Sequence, residues 1–279
     1  MTGKEIRRWA WKKAKERRGL LIAICLIEIL PLYVINRLLL AISWPLREAV
    51  SFPFHVLGGL FQLGALFVIL KAIQEEEIAF CQIMVPFHRE WLKKATIVTV
   101  VYLLAVFVVQ LIPNLLMENG KKLMELSGYQ GTKFIEGNVY TEEYSGYRHG
   151  ISLLQFGSSM GSLLSLILGD IWLPVKYLLF LKPEKTAFQV IREGTSLGLR
   201  SLGKIIVFQI VTILPVMILP LLLGVVLTVK GTGAAAVIAA ALFIGVLAWM
   251  TPYVEFTLAG FVLELSGNMK LEKKKKKRK

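Results

Sequence analysis

Two cysteines in a chain of 279 residues leave nothing from which to build a disulfide framework or a cysteine-rich metal cluster. Cys25 falls inside a long apolar run and Cys81 in a charged connection, and both read as reduced thiols with packing roles. The chain holds only three histidines, His55, His88 and His149. They fall in separate parts of the topology derived below and do not converge on a catalytic or metal centre. A complete Walker A loop and a zinc His-Glu-x-x-His motif are absent. Charged residues make up 19% of the chain and hydrophobic ones 55%. A soluble domain of this length carries more charge and shorter apolar runs. These absences argue against an enzyme, and no metal and no cofactor is expected.

What the chain does have is long apolar runs. A helix needs ~20 apolar residues to cross a bilayer core. Six stretches meet that length: 20–43, 52–72, 95–117, 151–181, 204–229 and 233–264. The alternating pattern of a membrane barrel is missing, so the spans are helices, which satisfy their own backbone groups in lipid. The expected fold class is all-α: a polytopic membrane protein with six transmembrane helices in a bundle. Residues 1–18 form a cytoplasmic basic amphipathic helix, 19–265 the membrane domain and 266–279 a polybasic tail. The first apolar run is longer than a signal peptide's and lacks a small-x-small cleavage site, so it reads as a mature first span.

Orientation follows from Lys and Arg. Of 33 such residues, 25 fall before the first span, in the second and fourth connections, and in the tail. Six fall on the opposite side: Arg47, Lys121, Lys122, Lys133, Arg148 and Lys230. The excess of positive charge marks the cytoplasmic side of the cell membrane and puts both termini there, and an even number of spans agrees. The tail residues Lys273, Lys274, Lys275, Lys276, Lys277, Arg278 and Lys279 then lie beside the inner leaflet, where each base attracts anionic lipid headgroups by about 1 kcal/mol. The bilayer and its anionic headgroups are therefore the expected partners, and no nucleic acid is expected.

Lys4 to Arg18, marked by Trp9 and Trp11, suits a helix lying in the headgroup layer. The segment 183–204 looks similar, with Pro183 and Glu184 at its start and Phe188, Ile191, Thr195 and Leu202 near one face. The outer loop, 118–150, carries four tyrosines and no apolar run large enough for a core of its own. A solvated connection is expected there.

Prolines punctuate the spans. Pro31, Pro113, Pro174, Pro215 and Pro252 each remove a helix hydrogen bond and mark expected kinks. Ile29-Leu30-Pro31, Leu111-Ile112-Pro113 and Ile213-Leu214-Pro215 recur in the odd-numbered spans, a pattern that three duplicated hairpins would leave. Glu28, Asp170, Lys176 and Glu255 are the intramembrane polar candidates. Such residues face the bundle interior and need a partner or a proton. The expected grouping lies toward the inner leaflet, with Lys176 as the partner of Glu28.

The C-terminal half adds a resemblance. Pro174 near the end of a span, Ile191 in the following helix, then Pro252-Tyr253, Thr257, Ala259 and Phe261 resemble the bacterial integral-membrane proteins grouped as domain-of-unknown-function family 975. Gly194 stands where that family would carry Ser, and Val262 where it would carry an aromatic residue. The resemblance implies a multispan helical protein of a Gram-positive bacterium and brings no catalytic residues with it. Glu75-Glu76-Glu77 is similar to the acidic pair of intramembrane CAAX-type proteases, but the intramembrane histidines of those enzymes have no counterpart. The expected function is a non-enzymatic one: scaffold, assembly, regulatory or immunity-type, with a membrane protein or peptide as partner. The alternative is a transporter or export component for a peptide, lipid or small amphiphile.

Overall fold

The computed structural model describes residues 2–16, 19, 22, 34, 46–74, 79–127, 142–230 and 234–267. Glu28, Pro31, Glu75 to Glu77 and the whole lysine tail lie outside the described residues, as does most of the expected first span. Among the described residues six α-helices follow in order: α1 (Gly3–Glu16), α2 (Leu46–Ile73), α3 (Arg89–Leu126), α4 (Glu142–Leu181), α5 (Ala187–Lys230) and α6 (Ala234–Leu265). One 3-10 segment, Phe80–Phe87, lies between α2 and α3. Among the described residues there is no strand. Among the described residues, four stretches are long and apolar enough to cross a membrane: Val50–Ile73, Arg89–Leu126, Gly146–Leu181 and Ala187–Ile213. The protein is thus an all-helical membrane protein by length and composition.

The chain divides into two units, residues 101–169 in one and 1–100 with 170–279 in the other. The larger unit holds the main core. Leu66, Val68, Ile69 and Leu70 of α2, Tyr177 of α4, and Phe256, Ala259 and Val262 of α6 bury together with Ala10 and Ala14 of α1. Around them Phe180 meets Phe67 at 5.1 Å and Trp91 at 5.3 Å between ring centroids.

α1 begins with a capping box: Glu5 N–H donates to Thr2 Oγ1, and Thr2 N–H donates to Glu5 Oε2 at 2.8 Å. Its buried positions Ile6, Ala10 and Ala14 recur every four residues and face the core, while Lys4, Arg8, Lys12 and Lys15 are exposed. Trp9 and Trp11 turn to protein: Trp9 lies against Phe256 and Trp11 edge-on to Tyr253 at 5.4 Å. The basic helix therefore packs on α6.

α5 departs from the expected layout. The surface helix 183–204 and the span 204–229 are one helix, Ala187–Lys230. It starts at Thr186, not at Pro183, because Thr186 and Gln189 form a second capping box: Thr186 N–H donates to Gln189 Oε1, and Gln189 N–H to Thr186 Oγ1. No proline interrupts it before Pro215. Its buried face is not Phe188, Ile191, Thr195 and Leu202. It runs Ala187, Val190, Gly194, Gly198, Ser201, Ile205, Phe208 and Thr212, at steps of three and four, while Phe188 is 68% exposed. In its middle, at Gly194, Gly198 and Ser201, the buried stripe is made of small residues, which let backbones approach.

The connection after α2 is also more structured than expected. Phe80–Phe87 packs along α2, with Ile83 buried and Phe87 against Phe61 at 5.0 Å. Gly64 makes room for it: a side chain there would start 1.9 Å from the Ile83 carbonyl oxygen.

In the smaller unit, residues 101–126 of α3 and 142–169 of α4 pair as an antiparallel hairpin. Gly120 faces Gly150, Gly157 faces Pro113 and Met117, and Gly161 faces Gln110 and Pro113. The helices run to Leu126 and from Glu142, so the 118–150 connection is helical at both ends. The opposite faces are apolar and open: Phe107, Val108 and Ile112 are 63%, 62% and 64% exposed. Water penalises such a surface, and acyl chains do not.

Candidate functional site

The polar side chains inside the apolar helices form pairs. Asp170 of α4 is only 4% exposed. It lies four residues before Pro174, so its carbonyl is the one that Pro174 leaves without a helical donor. Its Oδ1 accepts a hydrogen bond from Gln209 Nε2 of α5 at 2.7 Å. Its Oδ2 has no hydrogen-bond partner among the described residues, and neither does the hydroxyl of Thr212. Thr212 is three residues beyond Gln209 and shares its side of α5. A buried carboxylate oxygen without a donor demands a proton or a ligand that donates. This locus therefore has the chemistry to hold a proton or to bind a small donor.

Lys176 of α4 and Glu255 of α6 are close enough for the lysine to attract the carboxylate electrostatically. Both are half-buried. Lys176 follows Asp170 by six residues, about a third of a turn away in azimuth. The two polar residues of α4 thus address different neighbours, Asp170 turning to α5 and Lys176 to α6. Of the expected grouping, Glu28 lies outside the described residues; among the other three, Asp170 meets Gln209 and Lys176 is drawn to Glu255.

The third pairing lies in the smaller unit. Gln110 Nε2 donates to the Gly161 carbonyl at 2.9 Å and to Ser165 Oγ at 2.6 Å. Gln110 and Gln209 are not among the expected site residues, because neither carries a formal charge. Their signal was nonetheless present: each is an amide set inside an otherwise apolar run, Val108-Val109-Gln110-Leu111 and Val207-Phe208-Gln209-Ile210. Gly157 to Gly161 also matches the Gly-x-Ser-x-Gly spacing, with Ser159 at the centre. It lies in the middle of α4, and its glycines pack on α3. A nucleophile elbow needs a strand-to-helix turn, so this pentapeptide is a packing motif.

Outside the spans, Lys182 and Lys185 both clasp Glu193, closing the turn between α4 and α5. The hydrogen bond to the Glu193 carboxylate raises the Lys185 amine above its ordinary value. Lys94 donates to the Pro183 carbonyl and ties the start of α3 to the same turn.

The helices pass through the prolines. Pro113, Pro174 and Pro252 are buried within α3, α4 and α6, and Pro215 lies within α5. Cys81 is exposed with a free thiol. Among the described residues no three His, Cys, Asp or Glu side chains come together as metal ligands. Comparison of the chain with models of protein families, with curated proteins and with solved structures finds no match.

The Asp170–Gln209 link makes a testable prediction. Asp170→Leu removes the acceptor and is expected to cost about 0.6–1.7 kcal/mol, the range for hydrogen bonds between membrane helices. Asp170→Asn keeps a carbonyl oxygen for Gln209 Nε2 and should retain most of that stability. Thermal unfolding of the two variants in detergent makes the comparison, and equal losses would exclude the bond as the cause.

Proposed function

We propose that this protein is a non-enzymatic, six-span bundle of the cell membrane that acts as a scaffold or assembly partner, and that it belongs to domain-of-unknown-function family 975. The observation that carries this reading is how the intramembrane polar groups are used. Gln110 with Ser165 and Asp170 with Gln209 each join one helix to another by a hydrogen bond, and Lys176 attracts Glu255 across α4 and α6. Polar side chains spent on holding helices together suit a protein whose work is to present a surface. The open apolar face around Phe107 and Ile112 suits lipid or a membrane-protein partner.

A transporter or export component is the second reading. It is favoured by Asp170, whose Oδ2 lacks a donor among the described residues at the point where Pro174 opens the helix ladder. Broken helices and buried charges are what transporters use to hold substrates and ions. Reconstitution into liposomes separates the two. Saturable uptake of a labelled peptide or amphiphile that Asp170→Asn abolishes would replace the scaffold with the transporter. Inert vesicles, together with a stoichiometric membrane protein that co-purifies in mild detergent, support the scaffold.

In the proposed topology both termini are cytoplasmic and residues 118–150 are outside. Lys133→Cys should label with a membrane-impermeant thiol reagent on intact cells, and Lys275→Cys should not. Both changes belong on a background without Cys25 and Cys81, since the Cys81 thiol is exposed. Equal labelling of the two positions would overturn the six-span arrangement.

A further inference from the structure

We infer that a pocket between α1, α5 and α6 is a binding site for one anionic phospholipid. The inference rests on the membrane reading and is independent of the choice between scaffold and transporter. The pocket encloses about 440 Å³. Arg7 and Lys204 bring two cations to its lining, and among the described residues no acidic one lines it. The rest of the wall is apolar, with Val207, Phe208, Val211 and Phe261.

The order of these residues gives the site its direction. Lys204, Val207, Phe208 and Val211 lie at i, i+3, i+4 and i+7 of α5, a single stripe about 10 Å long. The charge is at one end and the branched aliphatics follow it. Val207 and Val211 are 62% and 46% exposed, so the stripe opens sideways from the helix. Phe208 and Phe261 stack face to face with centroids 4.1 Å apart and planes 9° apart, tying α5 to α6 at the pocket. The Arg7 guanidinium carbon sits 6.0 Å from the Phe208 ring centroid, which holds the cation of α1 beside the same pocket. A phosphate between Arg7 and Lys204 with an acyl chain along Val207 and Val211 matches this order in both charge and polarity. Free phosphate has no use for the apolar wall, and a neutral lipid has none for the two cations.

Native mass spectrometry of the full chain in mild detergent tests the site, with dioleoyl phosphatidylglycerol and dioleoyl phosphatidylcholine as probes. The wild type should retain one phosphatidylglycerol about thirtyfold more tightly than phosphatidylcholine, from two bases at about 1 kcal/mol each. Arg7→Gln with Lys204→Gln should abolish the preference. Gly203→Leu keeps both charges and fills the pocket, since a side chain at Gly203 meets nothing within 4 Å and the change favours helix. It too should lose the tight site. Removal of residues 273–279 should leave the site intact. The proposal fails if the preference survives both pocket variants, or if it disappears with the tail alone. It also fails if excess inorganic phosphate displaces the lipid, or if the pocket variants convert a dimer into a monomer, which would make the occupant a second copy. Protein that stays dispersed after detergent is removed would instead refute the membrane reading on which the site depends.

Discussion

Replacing Gly198 by Val should unfold this protein at a markedly lower temperature, with a loss of about 3 kcal/mol at the upper end of the overpacking range. A side chain on Gly198 would start 2.1 Å from the carbonyl oxygen of Ile171, and on Gly194 2.6 Å from the Cα of Val175. Gly194 and Gly198 are four apart, as are Ile171 and Val175, so two turns of α5 lie directly on two turns of α4. The neighbouring atoms are backbone, and backbone has no rotamer into which to retreat. The helices must separate, and the separation strains the Asp170–Gln209 hydrogen bond farther along the same interface. Gly169→Ala is the control. That position is helical and meets nothing within 4 Å, so the substitution should be neutral or raise stability by up to about 1 kcal/mol through helix propensity. Thermal unfolding in detergent decides it: a Gly198→Val protein as stable as wild type would mean that α4 and α5 do not touch at these glycines.

Much of the helical layout was legible in the apolar runs. The stretch 151–181 falls within helix Glu142–Leu181, and residues 234–264 of the last stretch fall within Ala234–Leu265, because a bilayer-length apolar run has only a helix to form. Boundaries were less legible where helices outlast the apolar run. α3 continues through Glu118 and Lys122, which pair at 2.9 Å four residues apart, and such pairs prolong a helix in polar surroundings. The fusion of 183–204 with the next span escaped for a related reason: glycines at 194, 198 and 203 read as weak helix, yet close packing against α4 decides the conformation at Gly194 and Gly198. Partner choice was the least legible. Depth along a span follows from counting residues, so Asp170, Lys176 and Glu255 could be placed near one leaflet. Azimuth between helices depends on how they rotate about each other, and a single sequence holds no direct record of that. Hence Asp170 finds Gln209, an amide that charge counting passes over. Glu28, the expected partner of Lys176, lies outside the described residues, and Lys176 is drawn to Glu255.

That attraction supports the second large effect. Glu255→Gln or Lys176→Met alone should each cost about 2 kcal/mol, between the limits for exposed and fully buried ion pairs, because both side chains are half-buried. Each single change removes one charge and leaves the other in a setting with little water. Both residues follow a buried proline, Lys176 by two positions and Glu255 by three, so the pair joins α4 and α6 just past the points where Pro174 and Pro252 interrupt their ladders. The double change Glu255→Gln with Lys176→Met removes both charges at once. It should recover a substantial part of the combined loss, since the stranded charge is then gone. The same cycle with Glu28→Gln in place of Glu255→Gln gives the comparison, because one lysine has a limited capacity to stabilise two acids. Coupling with Glu255 and additivity with Glu28 would establish the α4–α6 pair as the only ion pair of Lys176. Coupling with both would mean that Glu28 of the first apolar run joins the same polar group. Simple additivity of Glu255→Gln and Lys176→Met would remove the ion pair, and α4 and α6 would then be held near Pro174 and Pro252 by apolar packing such as that of Tyr177 and Phe256.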